Sequence, residues 1–335
     1  MDRGRVSVEQ IPDPFGGGPL KALRTDAGTP LRAGTAWLWS QDPKEQPPEY
    51  YASMKRLGLN AVRLICFDVW IHDSGYDPEG RLSWSDPGYR ETMLARIRRA
   101  VDYCSAYGLY AIINYHGNVK VFDLDYALEF WSVVAPAFRD RTHVIFETQN
   151  EPLGGAGADV EMLGRLREVY NCAREEAPDT HIMVLTPCGV SAYGAVDGMK
   201  KLADRFDELP GEPIDWTKTS VAYHLYHADV GSFPRAEDLR TLHRSYPAWP
   251  SENNFPSSVS SRDLGIGEGD SQRSVAYGGD EFITRTCERL GIGWSHWQIN
   301  GDQLLRNWPI LWNDAVKKGY AWKPDPTASA PSPAR

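Results

Sequence analysis

The chain has 335 residues, 41% apolar and 11% aromatic, which is enough for one large core. Its formal charge of −9 and pI near 5.4 argue against a nucleic-acid groove or an anionic-membrane surface as partner. No apolar run approaches the roughly 20 residues that span a bilayer. Nor does the segment from Met1 to Val6 carry an apolar signal region, so the chain is either cytoplasmic or exported by a signal outside this sequence.

In chain order, residues 1–20 are rich in Gly and Pro and show no periodic pattern. Residues 20–32 read as a hairpin turning at Asp26-Ala-Gly. Ala33 to Trp37 is a first strand, and Pro48 to Leu57 a helix stopped by Gly58. Asn60 to Ile65 is an apolar strand carrying one arginine, Arg63, which must meet a carboxylate or stay solvated. Residues 90–106 repeat apolar positions at helical spacing, with Gly108 closing the helix. Leu109 to Tyr115 is a third strand ending in His116 and Gly117, and Tyr126 to Phe138 a helix. His143 opens a fourth strand, which delivers Asn150 and Glu151 and is halted by Pro152. A helix over 160–176 and a strand over 182–185 follow, then a helical piece within 195–218. Ser220 to His227 is a sixth strand, with His224 and Tyr226 on one side. A short helix from Ala236 to Arg244 precedes the seventh strand, Pro247 to Glu252. Residues 253–279 form a long Ser/Gly-rich stretch expected to shape a binding site. Phe282 to Leu290 is a helix, Ile292 to Trp297 the eighth strand, and Trp312 to Lys317 opens a last helix.

Eight strand–helix alternations predict a (β/α)8 TIM barrel of the α/β class, one domain over residues 1–323. A Pro/Ala/Ser tail at 324–335 reads as disordered or as the stub of a linker.

In a parallel barrel, chemistry is done at the carboxyl ends of the strands. Those ends carry Arg63, His116, Asn150, Glu151, His224, Tyr226, Glu252 and Trp297, with the two glutamates on the fourth and seventh strands facing each other across the mouth. Of the twelve tryptophans, Trp37, Trp39, Trp70, Trp249 and Trp297 lie where strands end, and flat aromatic faces there suit sugar rings.

On these residues, and on Asn-Glu-Pro at 150–152 above all, the chain resembles glycoside hydrolase family 5, the cellulase and mannanase family of retaining (β/α)8 glycosidases. The resemblance covers roughly residues 20–322. It implies that Glu151 is the acid/base and Glu252 the nucleophile, and that Asn150 holds the 2-hydroxyl of the reacting sugar. By the same resemblance Arg63 and Tyr226 hold Glu252, His116 and His224 line the subsite, and Trp297 is its stacking floor. Trp37, Trp39 and Asp302 are possible subsite residues, as are Asp68 and Gln303. Glu147 is a rival acid, which its mid-strand place makes structural. Asn253 and Asn254 follow Glu252, where many family members have an aromatic residue and glycine.

The expected reaction is retaining hydrolysis of a β-linked glycan, with β-1,4-glucan first and β-mannan second, or exo-action on a shorter glycoside. No metal or organic cofactor is implied, the partner is an oligo- or polysaccharide, and the chain is expected to be a monomer. Competing readings are a metal-dependent hydrolase using His116, His224 and His227, a barrel that binds carbohydrate without catalysis, and a thiol nucleophile at Cys66 or Cys188. Cys104, Cys172 and Cys287 fall on apolar helix faces, and the dispersed, odd set of five is no disulfide or zinc framework.

Overall fold

The computed structural model describes residues 2–39, 45–67, 84–117, 122–152, 160–186, 196–225, 236–253 and 283–295. Outside them lie Asp68, Trp70, Cys188, Tyr226, His227, Trp297, Asp302 and Gln303, together with residues 254–279, the last predicted helix and the tail.

The described strands are β1 (Ser7–Ile11), β2 (Leu20–Arg24), β3 (Arg32–Trp39), β4 (Ala61–Phe67), β5 (Tyr110–Tyr115), β6 (Val144–Glu147), β7 (His181–Val184), β8 (Thr219–Leu225), β9 (Ala248–Asn253) and β10 (Trp294–Ser295). Between them run α1 (Pro48–Arg56), α2 (Pro87–Ala106), α3 (Leu124–Phe138), α4 (Val160–Glu176), α5 (Val196–Asp207), α6 (Ala236–Ser245) and α7 (Ile283–Leu290). Strands β3 to β9 are parallel neighbours in chain order, and β10 returns to pair with β3 through Trp294 opposite Arg32 and Ser295 opposite Ala33. The architecture is the (β/α)8 barrel expected from the alternation.

Local chemistry sets the element ends. Asp86 caps α2 by accepting from the Tyr89 amide at 3.0 Å, with Pro87 at the first helical position. The helix therefore starts three residues earlier than its apolar period shows. Gly58, at φ +78°, ends α1 by letting the Gly58 and Leu59 amides turn back onto the last carbonyls.

Strand alternation sorts the core into two compartments. Leu23, Leu31, Ala33, Ala61, Tyr110, Ile112, Ile145, Met183, Ala222 and Trp249 fill the barrel floor, while the opposite faces of the same strands pack against the helices. Ile112 and Ile145 are fully buried there, and truncating either to Ala should cost about 2–5 kcal/mol. The seam between the last and first strands is closed by polar contacts. Leu31 O accepts from the Trp294 amide at 2.9 Å and from Trp249 Nε1 at 3.0 Å. Glu288 on α7 receives Arg32 Nε at 2.6 Å and Trp294 Nε1 at 2.7 Å.

Two expectations need amending. The hairpin within 20–32 is present, with Arg24 paired antiparallel to Pro30 across its turn, but the longer pairing of β2 is with a strand not foreseen, β1, antiparallel from Ser7 opposite Arg24 to Ile11 opposite Leu20. The turn at Asp26-Ala-Gly exists, closed by Gly28 N–H to Thr25 O at 2.8 Å, but it leads from β2 toward the first barrel strand. β1 escaped notice because only Ile11 of its five residues is buried, so no alternating apolar pattern was needed. Trp249 is the second correction. It lies near the start of β9, not its end, and is fully buried in the barrel floor.

Candidate active site

The same alternation that fills the floor lifts polar side chains above it. Ala61 is followed two positions on by Arg63, Ile112 by Asn114, Ile145 by Glu147 and Ala222 by His224, each pair on one face of its strand. On β9 the parity should fail, since Trp249 faces inward and Glu252 is three positions later. A register shift corrects it: Tyr223 lies opposite Pro250, but His224 lies opposite Glu252, so Ser251 is bulged out of the ladder. Pro250 has no N–H to give that ladder, and the bulge beside it re-aims Glu252 into the barrel mouth.

Arg63, fully buried, is the hub. Its Nη1 donates to Glu252 Oε1, its Nε to Glu147 Oε2 at 2.5 Å, and its Nη2 to Glu147 Oε1 at 3.1 Å and to Asn150 Oδ1 at 2.8 Å. Burial works to discharge the guanidinium, but the carboxylates of Glu147 and Glu252 prevail and hold it more firmly charged than a free arginine.

His224, also fully buried, joins the two predicted catalytic carboxylates. Its Nδ1 donates to Glu151 Oε1 at 2.7 Å and lies 3.3 Å from Glu252 Oε2. Burial lowers its pKa, yet Glu252 and Glu151 outweigh burial and the nearby Arg63, and the net direction is upward. One oxygen each from Glu151 and Glu252 and a ring nitrogen of His224 all lie within 4.8 Å of one another. That trio is also the only group of acidic, histidine or cysteine side chains among the described residues close enough to hold a metal ion, and His116 is not part of it.

His116 behaves oppositely. Burial first, then the positive charges of Arg63 and His224, push its pKa well below the usual histidine value, so the ring is neutral. Its Nδ1 is 2.8 Å from Asn114 Oδ1, which can only accept, so Nδ1 carries the proton and Nε2 is left as an acceptor.

Asn150 is anchored by its backbone N–H, which donates to Tyr115 O at 2.9 Å. Glu151, next to it, is the one predicted catalytic residue with appreciable exposure, 15% of its side chain. Pro152 denies Glu151 the right-handed helical region, and it adopts φ +39°, a conformation costing about 1–3 kcal/mol that the surrounding structure must hold.

Six of the predicted site residues therefore meet: His116, Asn150, Glu151, His224 and Glu252 at the carboxyl ends of β5, β6, β8 and β9, and Arg63 from within β4, as the third of its seven residues rather than from the strand end where it was expected. Trp37 is partly buried near the end of β3, and Trp39 closes that strand. Tyr226, Trp297 and Asp302 lie outside the described residues. Sequence reasoning did not foresee Glu147 and Thr186 as partners of this cluster, nor Asn114. The signal was present in the two-residue spacing from Ile145 to Glu147 and from Ile112 to Asn114.

A family model described as Cellulase (glycosyl hydrolase family 5) matches residues 24–303. The chain belongs to glycosyl hydrolase family 5. Among curated relatives, it is 27% identical over 264 residues to Endoglucanase E-5 of Thermobifida fusca, covering 77% of this chain and 49% of that protein. It is 30% identical over 184 residues to Endoglucanase CelA of Streptomyces lividans, covering 53% of this chain and 35% of that one. The chain thus spans about half the length, or less, of the curated relatives it matches. Among solved structures, the catalytic domain of Thermobifida fusca endoglucanase Cel5A in complex with cellotetraose superposes with a TM-score of 0.57 at 22% identity, covering 88% of this chain and 84% of that one. Cellulase Cel5C_n gives a TM-score of 0.55 at 19% identity, covering 88% and 81%. At these identities the structural likeness speaks for the fold.

Proposed function

We propose that this family 5 chain is a retaining β-glycoside hydrolase acting on β-1,4-linked glucan. The observation that carries the reading is the paired but unequal setting of two carboxylates. Glu252 is gripped by a buried guanidinium, whereas Glu151 is partly exposed and bonded to an imidazole. One oxygen of each lies within 4.8 Å of the other, near the separation of about 5–5.5 Å used by retaining enzymes and short of the roughly 6.5–9.5 Å of inverting ones. The glucan preference draws on the relatives, several of which are named endoglucanases.

In the first step Glu252, kept ionised by Arg63, attacks the anomeric carbon. The C–O bond to the leaving sugar breaks, and Glu151 gives its proton to the departing oxygen. In the second step Glu151, now a carboxylate, takes a proton from water, whose oxygen displaces Glu252 and regenerates it. His224 hydrogen-bonds Glu151 and faces Glu252, so it holds both groups in place through the exchange. Asn150 has its carbonyl oxygen occupied by Arg63, which leaves its amide N–H groups for a sugar hydroxyl.

The test is reducing-sugar release from β-glucans, mannan and xylan, with Glu151→Gln and Glu252→Gln alongside. Both variants should lose at least ~10²–10⁴-fold on polysaccharide, in line with general-acid and nucleophile roles. The first product seen by proton NMR should be the β anomer. Wild-type turnover in Glu252→Gln, or an α anomer first, refutes the mechanism. Mannan cleaved faster than glucan replaces the substrate.

A further inference from the structure

We infer that Glu147 is a positioning residue of this site: its carboxylate grips Nε and Nη2 of Arg63 side-on, and so aims the remaining N–H groups at Glu252 and Asn150. The inference rests on the function proposed above and assigns a task to a residue that touches no substrate. Glu147 ends β6 on the inward face, directly above Ile145, and is fully buried. It cannot deliver a proton to a glycosidic oxygen from there, which disposes of it as a rival acid.

A guanidinium is a planar fork with five N–H groups. Two of these, on Nε and Nη2, are taken by the two oxygens of Glu147, a bidentate pairing that fixes the plane's rotation. Once the plane is fixed, Nη1 points at Glu252 and the second Nη2 hydrogen at Asn150 Oδ1. Thr186 pins the arrangement from the far side, donating to Glu147 Oε1 at 3.2 Å. A single anchored cation thus orients both the attacking carboxylate and the amide that precedes the acid in sequence.

The charge count matters as much as the aim. Arg63 serves two buried carboxylates, so Glu252 receives only part of the attraction it can give. Undiluted, that attraction would make Glu252 a weaker base and a poorer nucleophile. Glu147 keeps it in check. His224, 3.3 Å from Glu252 and bonded to Glu151, is the other titratable neighbour and is unchanged by a substitution at Glu147.

The experiment is carbon-13 NMR of protein labelled at the glutamate carboxyl carbon, with Glu252 assigned by its absence in Glu252→Gln. In Glu147→Gln the Glu252 titration midpoint should fall by about one pH unit, because Arg63 then serves one carboxylate alone. The acid limb of kcat/KM should move down with it, and kcat/KM at the optimum should fall roughly tenfold or more. Glu147→Asp keeps the charge but is one methylene short. Its midpoint should stay near wild type, while kcat falls because the fork is mis-aimed. A folded Glu147→Gln protein with the Glu252 midpoint unmoved overturns the inference. Should that variant not fold, Thr186→Val removes only a hydrogen bond from Glu147. The freed carboxylate then draws Arg63 harder, and the Glu252 midpoint should rise by a few tenths; no rise overturns the inference equally. The NMR reading needs no turnover. A wild type silent on every glycan would therefore refute the proposed function while the coupling between the two glutamates was still being read.

Discussion

Replacing Arg63 with methionine should take from two buried carboxylates the cation they share, leaving Thr186 beside Glu147 and His224 beside Glu252, and the cost should depend on pH. The side chains of Glu147 and Glu252 are 0% and 2% exposed, so neither can turn to water when the guanidinium is gone. Removing one partner of a buried ion pair costs about 3–5 kcal/mol, largely through the charge left behind. Burial and mutual repulsion would then raise at least one of the two carboxyls by about two to three units above its unfolded value, worth roughly 3–4 kcal/mol once it is ionised. A group whose folded pKa is raised favours folding below its unfolded pKa, and that advantage is lost as pH climbs through the folded value. The deficit relative to wild type should therefore be about 3–5 kcal/mol at pH 8 and shrink to about 1 kcal/mol near pH 5, where the carboxyl folds protonated. Urea unfolding followed by tryptophan fluorescence at the two pH values measures it, and adding Glu147→Gln to Arg63→Met should recover much of the loss. A deficit equal at both pH values, or below about 1 kcal/mol at pH 8, would refute the reasoning.

Two further outcomes follow from the frame. Gly293→Ala would drive a methyl group into the Leu31 carbonyl and within 2.7 Å of Trp249 Nε1, the contacts that close the seam. A loss of about 3 kcal/mol or more is expected, and a thermal midpoint within a degree or two of wild type would sink the argument. His181 is held down to about 3, chiefly by burial and then by the Arg174 charge, and His243 to about 4 by burial. Since the unfolded chain takes up these protons near pH 6.5 and the folded chain does not, stability should fall as pH drops from about 6.5 toward 4. His181→Asn should flatten that decline in urea midpoints measured across the range; parallel curves for variant and wild type would count against it.

The barrel was legible because each strand had to be apolar on both faces, leaving short unbroken runs between helices of clear period. The site was legible for a related reason. A polar side chain inside or at the end of such a run stands out, and Arg63 announced itself in the first way, Asn150, Glu151 and His224 in the second. What stayed hidden depended on pairing. Nothing in Pro250-Ser-Glu252 shows that a bulge at Ser251 restores Glu252 to the inward face, although a proline inside a central strand was a hint that the ladder breaks there. Glu147 was seen but not its partner, since a fork between residues 63 and 147 is a fact of register across β4, β5 and β6. β1 was invisible because its pairing with β2 needs little burial, and Trp249 was misplaced because its strand begins one residue before it.

The pairing also decides how the site will answer to pH. Sequence treats Glu151 and Glu252 as two residues with two roles, each with its own proton affinity. In the structure His224 bonds the first and faces the second, and Arg63 ties the second to Glu147. Protonating His224 adds a positive charge within 3.3 Å of Glu252 and alters the group that Glu151 is bonded to. No one of the three can titrate without moving the others. The limbs of a pH–rate profile must therefore belong to the set, not to a named acid and a named base. A variant at His224 should shift both limbs by similar amounts, whereas one at Glu147, which is bonded to Arg63 and Thr186 and reaches the set through Arg63, should shift the acid limb more than the other. That asymmetry follows from which atoms meet, and it separates a shared network from two carboxylates that happen to be near one another.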